Sequence, residues 1–290
     1  MSYEIETASV QQYANNVGLL LQQRGSKLRE CCTLGSYTGK AAKAVEQIGA
    51  VAARKRTSRH SDTPLISTPH DARWVHPIDY DWADLIDNED KLRMIIDPTS
   101  PYAINGAYAI GRALDDDIIT AALGASLTGE NGSTSTAFDT TNQQIANGSA
   151  GLTVAKLREA RKILLSNEVD VEMDPLFIAV TAKQLDDLLG TTEVTSSDYN
   201  TVKALVQGQL DTFLGFKFVQ TERLGVDGSS HRRVIAWARS GMHVGMWNDI
   251  SARISERDDK NYATQVYVNG TFGATRTEEG KVVEILCVES

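Results

Sequence analysis

The chain has 290 residues, of which 41% are apolar and 23% charged, with only six prolines. That balance excludes a wholly disordered or collagen-like chain and can bury a sizeable core, in one large domain or two of ordinary size. The formal net charge is −9, yet residues 1–60 carry nine Lys/Arg against four acids, leaving 20 bases against 34 acids in the remainder. A basic segment on an acidic body suggests self-complementarity between copies, because the positive segment finds its opposite on a neighbour.

No apolar run of about 18 residues is present to span a bilayer. The opening stretch MSYEIETASVQQYANNVGLL lacks the basic start and apolar run of a secretory signal. A protein made in the cytoplasm is expected. Cys31, Cys32 and Cys287 are an odd number, and the adjacent pair bridges only with strain, so reduced and mostly buried thiols are expected. His60, His70, His76, His231 and His243 form no CxxC, HxxxH or HExxH arrangement, and no metal or other cofactor is expected.

Residues 1–35 are polar and weakly patterned, as in an arm rather than a core. Small and β-branched residues around QIGAVAARKRTSRH follow, then DTPLISTPHDARWVHPIDYDWADLID with alternating apolar and polar positions. Together they predict a long, exposed two-stranded ribbon, which is marginal alone and needs a partner. Its stretch ARKRTSRH carries Arg54, Lys55, Arg56 and Arg59. Three readings fit: a solvated loop, a contact between subunits, or a phosphate-binding cluster.

The strongest helical pattern is DPTSPYAINGAYAIGRALDDDIITAALGAS. Ser100 suits an N-cap and Pro101 the first helical position; Ile110, Leu114, Ile118 and Ala122 recur every fourth residue, and Gly124 suits a stop. Residues 100–123 would make about 35 Å of helix. Asp115, Asp116 and Asp117 point about 100° apart, so they cannot share one ion, and a solvated or partner-facing role is expected.

Residues 127–151 are rich in Gly, Ser, Thr and Asn and predict a loop or irregular strands, without GxxxxGK[ST] or a GxGxxG after a strand. Thr153 is placed to cap a helix with Val154, Leu157, Ala160 and Leu164 on one face and Arg158, Arg161 and Lys162 largely outside. A buried strand over 176–181 and a helix to Leu189 follow. In VKALVQGQLDTFLGFKFVQTERL, Val202, Leu205, Val206 and Leu210 fall at helical spacing, and Phe213, Leu214, Phe216, Phe218 and Val219 are extended. A helix running through Gly208 and Gly215 into a strand is expected. Further strands are predicted around 234–238 and 242–247, then a terminal hairpin turning near Glu279 and Gly280. His243, among apolar neighbours, suits a structural role. GxSxG, SxxK and a Cys with His support are absent; an α/β enzyme would have to build on Asp186, Asp187 and His243.

The order of basic arm, ribbon, the helix begun by DPTSPYAINGAYAIGRALDDDIITAALG, a loop, then DPLFIAVTAKQLDDLLG, SSDYNTVKALVQGQLDTFLGFKFVQTERL and finally VYVNGTFGATRTEEGKVVEILCVES resembles the major capsid proteins of tailed bacteriophages. The resemblance covers nearly the whole chain. It implies an α+β protein of the Hong Kong 97 bacteriophage capsid fold. Residues 1–36 would be the N-terminal arm and 37–78 the extended loop, a β-ribbon. Residues 79–151 would be the peripheral domain with its spine helix at about 100–123, residues 152–247 the axial domain, and 248–290 the returning peripheral strands.

Under that resemblance the function is structural, with no catalytic residue: hexamers and pentamers tile an icosahedral shell enclosing double-stranded DNA without specific binding. Arg54, Lys55, Arg56 and Arg59 would lie over a neighbouring subunit, with Asp84, Asp87, Asp90, Asp115, Asp116 and Asp117 as candidate acidic partners. Scaffolding, portal and decoration proteins are candidate partners, no membrane is involved, and the protein would reside in the virion capsid after synthesis in the host bacterial cytoplasm. The short arm after Met1 implies a separate scaffolding protein or none. Some relatives join subunits through a Lys to Asn isopeptide bond; Lys40, Lys43 and Lys55 lie in or near the loop, but no Asn partner matches. The alternatives are a cellular nanocompartment shell of the encapsulin kind and, further off, the α/β enzyme.

Overall fold

In a computed structural model, the structure describes residues 19–60, 63, 65–87, 99–190 and 212–289. The strands in chain order are β1 (Thr33–Ser36), β2 (Ala42–Ile48), β3 (His70–Val75) and β4 (Ile78–Ile86), then helix α1 (Thr99–Leu123). Next come β5 (Ser126–Thr128), β6 (Thr134–Thr136), β7 (Gln144–Ile145), α2 (Val154–Ser166), β8 (Leu176–Val180) and α3 (Ala182–Leu189). The remainder holds β9 (Thr212–Phe213), β10 (Phe216–Gln220), β11 (Arg232–Ala238), β12 (Met242–Arg257), β13 (Ala263–Arg276) and β14 (Val282–Cys287). The chain divides into two compact units, the smaller from residues 79–113 and 248–270 with the N-terminal residues to Gly25, the larger from 26–78, 114–247 and 271–290.

The larger unit is built on a six-stranded sheet of order β7-β14-β11-β8-β10-β9. β8, LFIAV, is buried at every position between parallel β10 and antiparallel β11. Such a strand, covered on both faces, needs an unbroken apolar run rather than alternation. On α2, Leu157, Ala160 and Leu164 are buried, and the Thr153 hydroxyl accepts from the Lys156 N–H at 3.4 Å, the expected N-cap.

The expected terminal hairpin does not form. β13 belongs to the sheet of order β1-β12-β13-β4, whereas β14 pairs antiparallel with β11, from Arg232↔Cys287 to Trp237↔Val282, and parallel with β7. The 3-10 turn Glu279–Lys281 redirects the chain from one sheet into the other. Alternation specifies which side chains share a face; it does not name the strand that pairs.

Gly215 also turns a different corner from the one expected. β9 and β10 pair antiparallel as Phe213↔Phe216, leaving Leu214 (φ +51°) and Gly215 (φ +83°) as a two-residue hairpin loop with both residues left-handed. That is the loop geometry whose twist matches the flanking strands. The helix expected over 202–210, with Gly208, lies outside the described residues.

The end of the expected arm is core. Leu28, Cys31 and Cys32 are buried, and β1 pairs parallel with β12 from Thr33↔His243 to Ser36↔Met246. Polar neighbours mask this short apolar group in the sequence. β12 itself continues to Arg257, ten residues past its expected end, because NDISARISER remains extended while largely exposed.

β2 and β3 form the ribbon, in register from Ala42↔Val75 to Ile48↔His70 with a bulge between Lys43 and Val45. β5 and β6 add to its β3 side, giving the order β2-β3-β5-β6. In α1, the stripe Ile110, Leu114, Ile118 and Ala122 is buried throughout. The helix begins at Thr99, so Ser100 sits inside it rather than capping it, and the Gly124 N–H closes on the Thr120 carbonyl at 2.8 Å. Within the smaller unit, α1 approaches the sheet at Gly106, where a Cβ would stand 2.5 Å from the Trp82 ring and 2.8 Å from the Val268 methyl.

Candidate assembly interface

Residues 49–57, between the two ribbon strands, have no regular secondary structure, and Arg54, Lys55, Arg56 and Arg59 are all exposed. Arg56 Nε donates to the Ser58 carbonyl at 2.8 Å, and its Nη2 donates to the Arg59 carbonyl. These bonds tighten the tip without neutralising it. Among the described residues none of the four basic side chains has a carboxylate partner. Ile48, Val51, Leu65 and Ile66 are exposed beside them, so the ribbon end offers both charge and apolar area. Of the three lysines, Lys40 and Lys55 are exposed, and Lys43 pairs with Glu46 at 3.5 Å and stands 5.6 Å over the Trp74 ring.

The candidate acids separate sharply. Asp87 is exposed and Asp84 half-buried, its carboxylate accepting from the Leu85 N–H at 2.8 Å. Asp90 lies outside the described residues. Asp115 cannot meet a neighbour: it is fully buried and accepts from the Ser26 hydroxyl at 2.5 Å and from the N–H groups of Lys27 and Leu28 at 3.0 and 3.1 Å. Asp116 is taken up within the chain by Arg223, whose Nε donates at 2.6 Å and whose Nη2 binds the second oxygen. Asp117 is half-buried. The 100° step per residue does split the three, as expected, but it turns one of them into the core.

An acidic groove at the ribbon base escaped the sequence reading. Lys43, Glu46, His70, Asp71, Ala72 and Glu130 line about 330 Å³. The Asp71 carboxylate holds its wall by accepting from the N–H groups of Ala72 and Gly129 at 2.8 and 3.0 Å. The signal available in the sequence was the turn TGENG, which places Glu130 against a strand 60 residues earlier only after β5 has paired with β3.

The residues of the enzyme reading do not build a site. His243 is buried between two hydroxyls, Thr33 Oγ1 at 2.9 Å from Nδ1 and Tyr37 Oη at 2.8 Å from Nε2, and burial lowers its pKa. Asp186 is exposed on α3, and Asp187 pairs with Lys183 at 3.3 Å. The thiols of Cys31 and Cys287 are pushed up to about 11 by burial, and that of Cys32 higher still, so all three are buried, protonated groups. Among the described residues no group of His, Cys, Asp and Glu could hold a metal ion.

A family model described as phage capsid protein matches residues 5–289. The chain belongs to the phage capsid protein family. No curated protein matches it. Among solved structures, the capsid of the cyanophage P-SCSP1u is similar at 14% identity and a TM-score of 0.76, covering 100% of this chain and 96% of that one. The head of the Helicobacter pylori bacteriophage KHP40 is similar at 9% identity and a TM-score of 0.74, covering 99% and 98%. The capsid of the cyanophage Pam1 is similar at 13% identity and a TM-score of 0.72, covering 97% and 96%. The fold of this phage capsid protein is thus the Hong Kong 97 type that the sequence resemblance implied, and the nanocompartment alternative is not favoured.

Proposed function

We propose that this chain is the major capsid protein of a tailed phage, assembling as hexamers and pentamers into an icosahedral shell around double-stranded DNA. The family match across residues 5–289 carries this reading. Its role is structural and calls for no catalytic residue.

Head-to-tail contacts between identical subunits generate rings when the rotation closes, and rings of five and six tile a shell. The ribbon, whose tip residues Arg54, Lys55, Arg56 and Arg59 have no carboxylate partner among the described residues, is the element that reaches out to a neighbour. Asp84 and Asp87 remain candidate acids for it, and Glu46, Asp71 and Glu130 at the ribbon base join them. The excess of acids over bases outside the first 60 residues suits a container, because a wall that bound DNA tightly would hinder its packing. Scaffolding, portal and decoration proteins are the partners such a shell would meet. The domain assignment follows the same reading, with 37–78 as extended loop and 152–247 as axial domain, but with the end of the 1–36 arm, from Ser26, anchored in the core.

The test is sedimentation and negative-stain microscopy of the purified chain, alone and with any scaffolding protein found encoded beside it. Closed shells or rings of five and six are expected. A chain that stayed monomeric in both and turned over a small molecule would overturn the reading.

A further inference from the structure

The base of the ribbon is held by buried polar groups. Gln47 on β2 and Arg73 on β3 are diagonal neighbours on one ribbon face, their opposite residues being Asp71 and Val45. Both donate to one acceptor, the Thr277 carbonyl, Gln47 Nε2 at 2.6 Å and Arg73 Nε at 2.8 Å. Thr277 is itself fixed, its N–H donating to the Gly241 carbonyl at 2.9 Å and its hydroxyl to the Ser240 carbonyl at 2.5 Å. Because β2 is the edge strand of its sheet, the Gln47 bond ties down the side of the ribbon that has no second strand.

Arg73 then continues to Glu279, Nη2 to Oε2 at 2.9 Å, and Arg276 approaches the other carboxylate oxygen at 3.7 Å. Arg276 Nη1 donates to the Ala122 and Gly124 carbonyls at 2.9 and 2.7 Å, closing the C-terminal end of α1 where carbonyls lack helical partners. Both arginines are buried, Arg276 completely, so two guanidiniums share one carboxylate. Among the described residues, Arg73 Nη1, Arg276 Nε and Glu279 Oε1 are buried without a hydrogen-bond partner, so Arg276 meets the carboxylate as an ion pair at 3.7 Å and not through a hydrogen bond. A buried charge left without its counter-charge is far more costly than a pair. Among the described residues, Glu279 is the one carboxylate that pairs with both guanidiniums.

We propose that Glu279 is the pin of a joint that seats the ribbon on Thr277, locks it to the end of α1, and so sets the direction in which the loop carrying Arg54 to Arg59 is presented. With the carboxylate neutralised, the two guanidiniums repel, Arg73 leaves Thr277, and Gln47 alone holds the ribbon. The six-stranded sheet contains none of these residues and keeps its structure. The link to loop presentation rests on the capsid reading; the joint itself does not.

Hydrogen exchange of the full chain, read beside its sedimentation, tests this with Glu279→Gln and the milder Gln47→Ala. Exchange in 42–48 and 70–75 should quicken about tenfold or more in Glu279→Gln and less in Gln47→Ala. Exchange in 176–180 and 232–238 should match the wild type, while shell formation falls. Wild-type exchange in the ribbon of both variants would overturn the joint. If Glu279→Gln does not fold, Gln47→Ala decides alone by the same readout. A loosened ribbon with normal shells would overturn the link to assembly, and a wild-type chain that forms no shell under any condition would count against the capsid reading while leaving the exchange result to judge the joint.

Discussion

Asp115, on α1, accepts from the Ser26 hydroxyl at 2.5 Å and the Leu28 N–H at 3.1 Å with the same carboxylate oxygen, stitching the segment before β1 to the helix 87 residues later. The carboxylate is fully buried and also takes the Lys27 N–H at 3.0 Å. Asp115→Asn puts an amide donor among these donors, and a loss of about 3 kcal/mol is expected. Asp116→Asn, whose pair with Arg223 is half exposed, should cost about 1 kcal/mol or less. Urea unfolding of the two variants at neutral pH checks the contrast.

His243 gives the fold a mild acid sensitivity. Burial holds its pKa below the ordinary 6.5, so as pH falls through that value the unfolded chain takes a proton that the native chain refuses. Its contribution is therefore intact above about pH 6.5 and lost progressively below, until the native pKa is reached. The stability gap between wild type and His243→Gln should narrow from about pH 7.5 to about pH 5, as read by urea midpoints. A constant gap would contradict this account.

Lys156 is a buried ammonium whose three donors are all used, on the carbonyls of Ala150, Gly151 and Leu286 at 2.8, 2.8 and 2.9 Å. Lys156→Met keeps the length but strands three acceptors, and about 3 kcal/mol should be lost. Lys156→Arg should also destabilise, because a planar fork does not match a converging trio of carbonyls. Thermal unfolding of both measures it.

Gly215 occupies a left-handed position beside a second one at Leu214. A Cβ there meets nothing closer than the Arg161 guanidinium at 3.8 Å, so any cost of Gly215→Ala is conformational. About 1 to 2 kcal/mol is expected. A loss much greater than that in chemical unfolding would mean that packing, not backbone preference, keeps the glycine.

Reversing Arg54, Lys55, Arg56 and Arg59 to Glu should leave unfolding of the isolated subunit within about 0.5 kcal/mol per substitution, since the tip is exposed and without ion pairs among the described residues. Assembly measured by sedimentation should fall steeply, and more so at low salt, where unscreened charge acts furthest. Equal loss in both measurements would place the tip inside the subunit's own fold.

Much of this was legible in one dimension. The stripe Ile110, Leu114, Ile118 and Ala122, the Thr153 cap, the apolar run of β8 and the pairing of two extended segments around a basic tip all follow from periods of 3.6 and 2 and from the four orphan N–H groups at a helix start. These are interactions between residues close in sequence, or properties of a single segment. The family, too, was legible in the order of its segments.

What the tertiary structure decided is which distant groups meet. Three consecutive aspartates look alike in the sequence; only the placement of residues 26–28 against α1 makes Asp115 a buried acceptor and leaves Asp116 to Arg223. The same holds for β13 and β14, which a hairpin pattern would join and which different sheets claim. Glu279, at an ordinary polar turn, becomes the counter-charge of two buried arginines once Arg73 and Arg276 converge on it. Periodicity expresses the burial of a face. Which buried charge finds which partner depends on contacts across 88 and 204 residues, set by the folded chain and invisible to any local window.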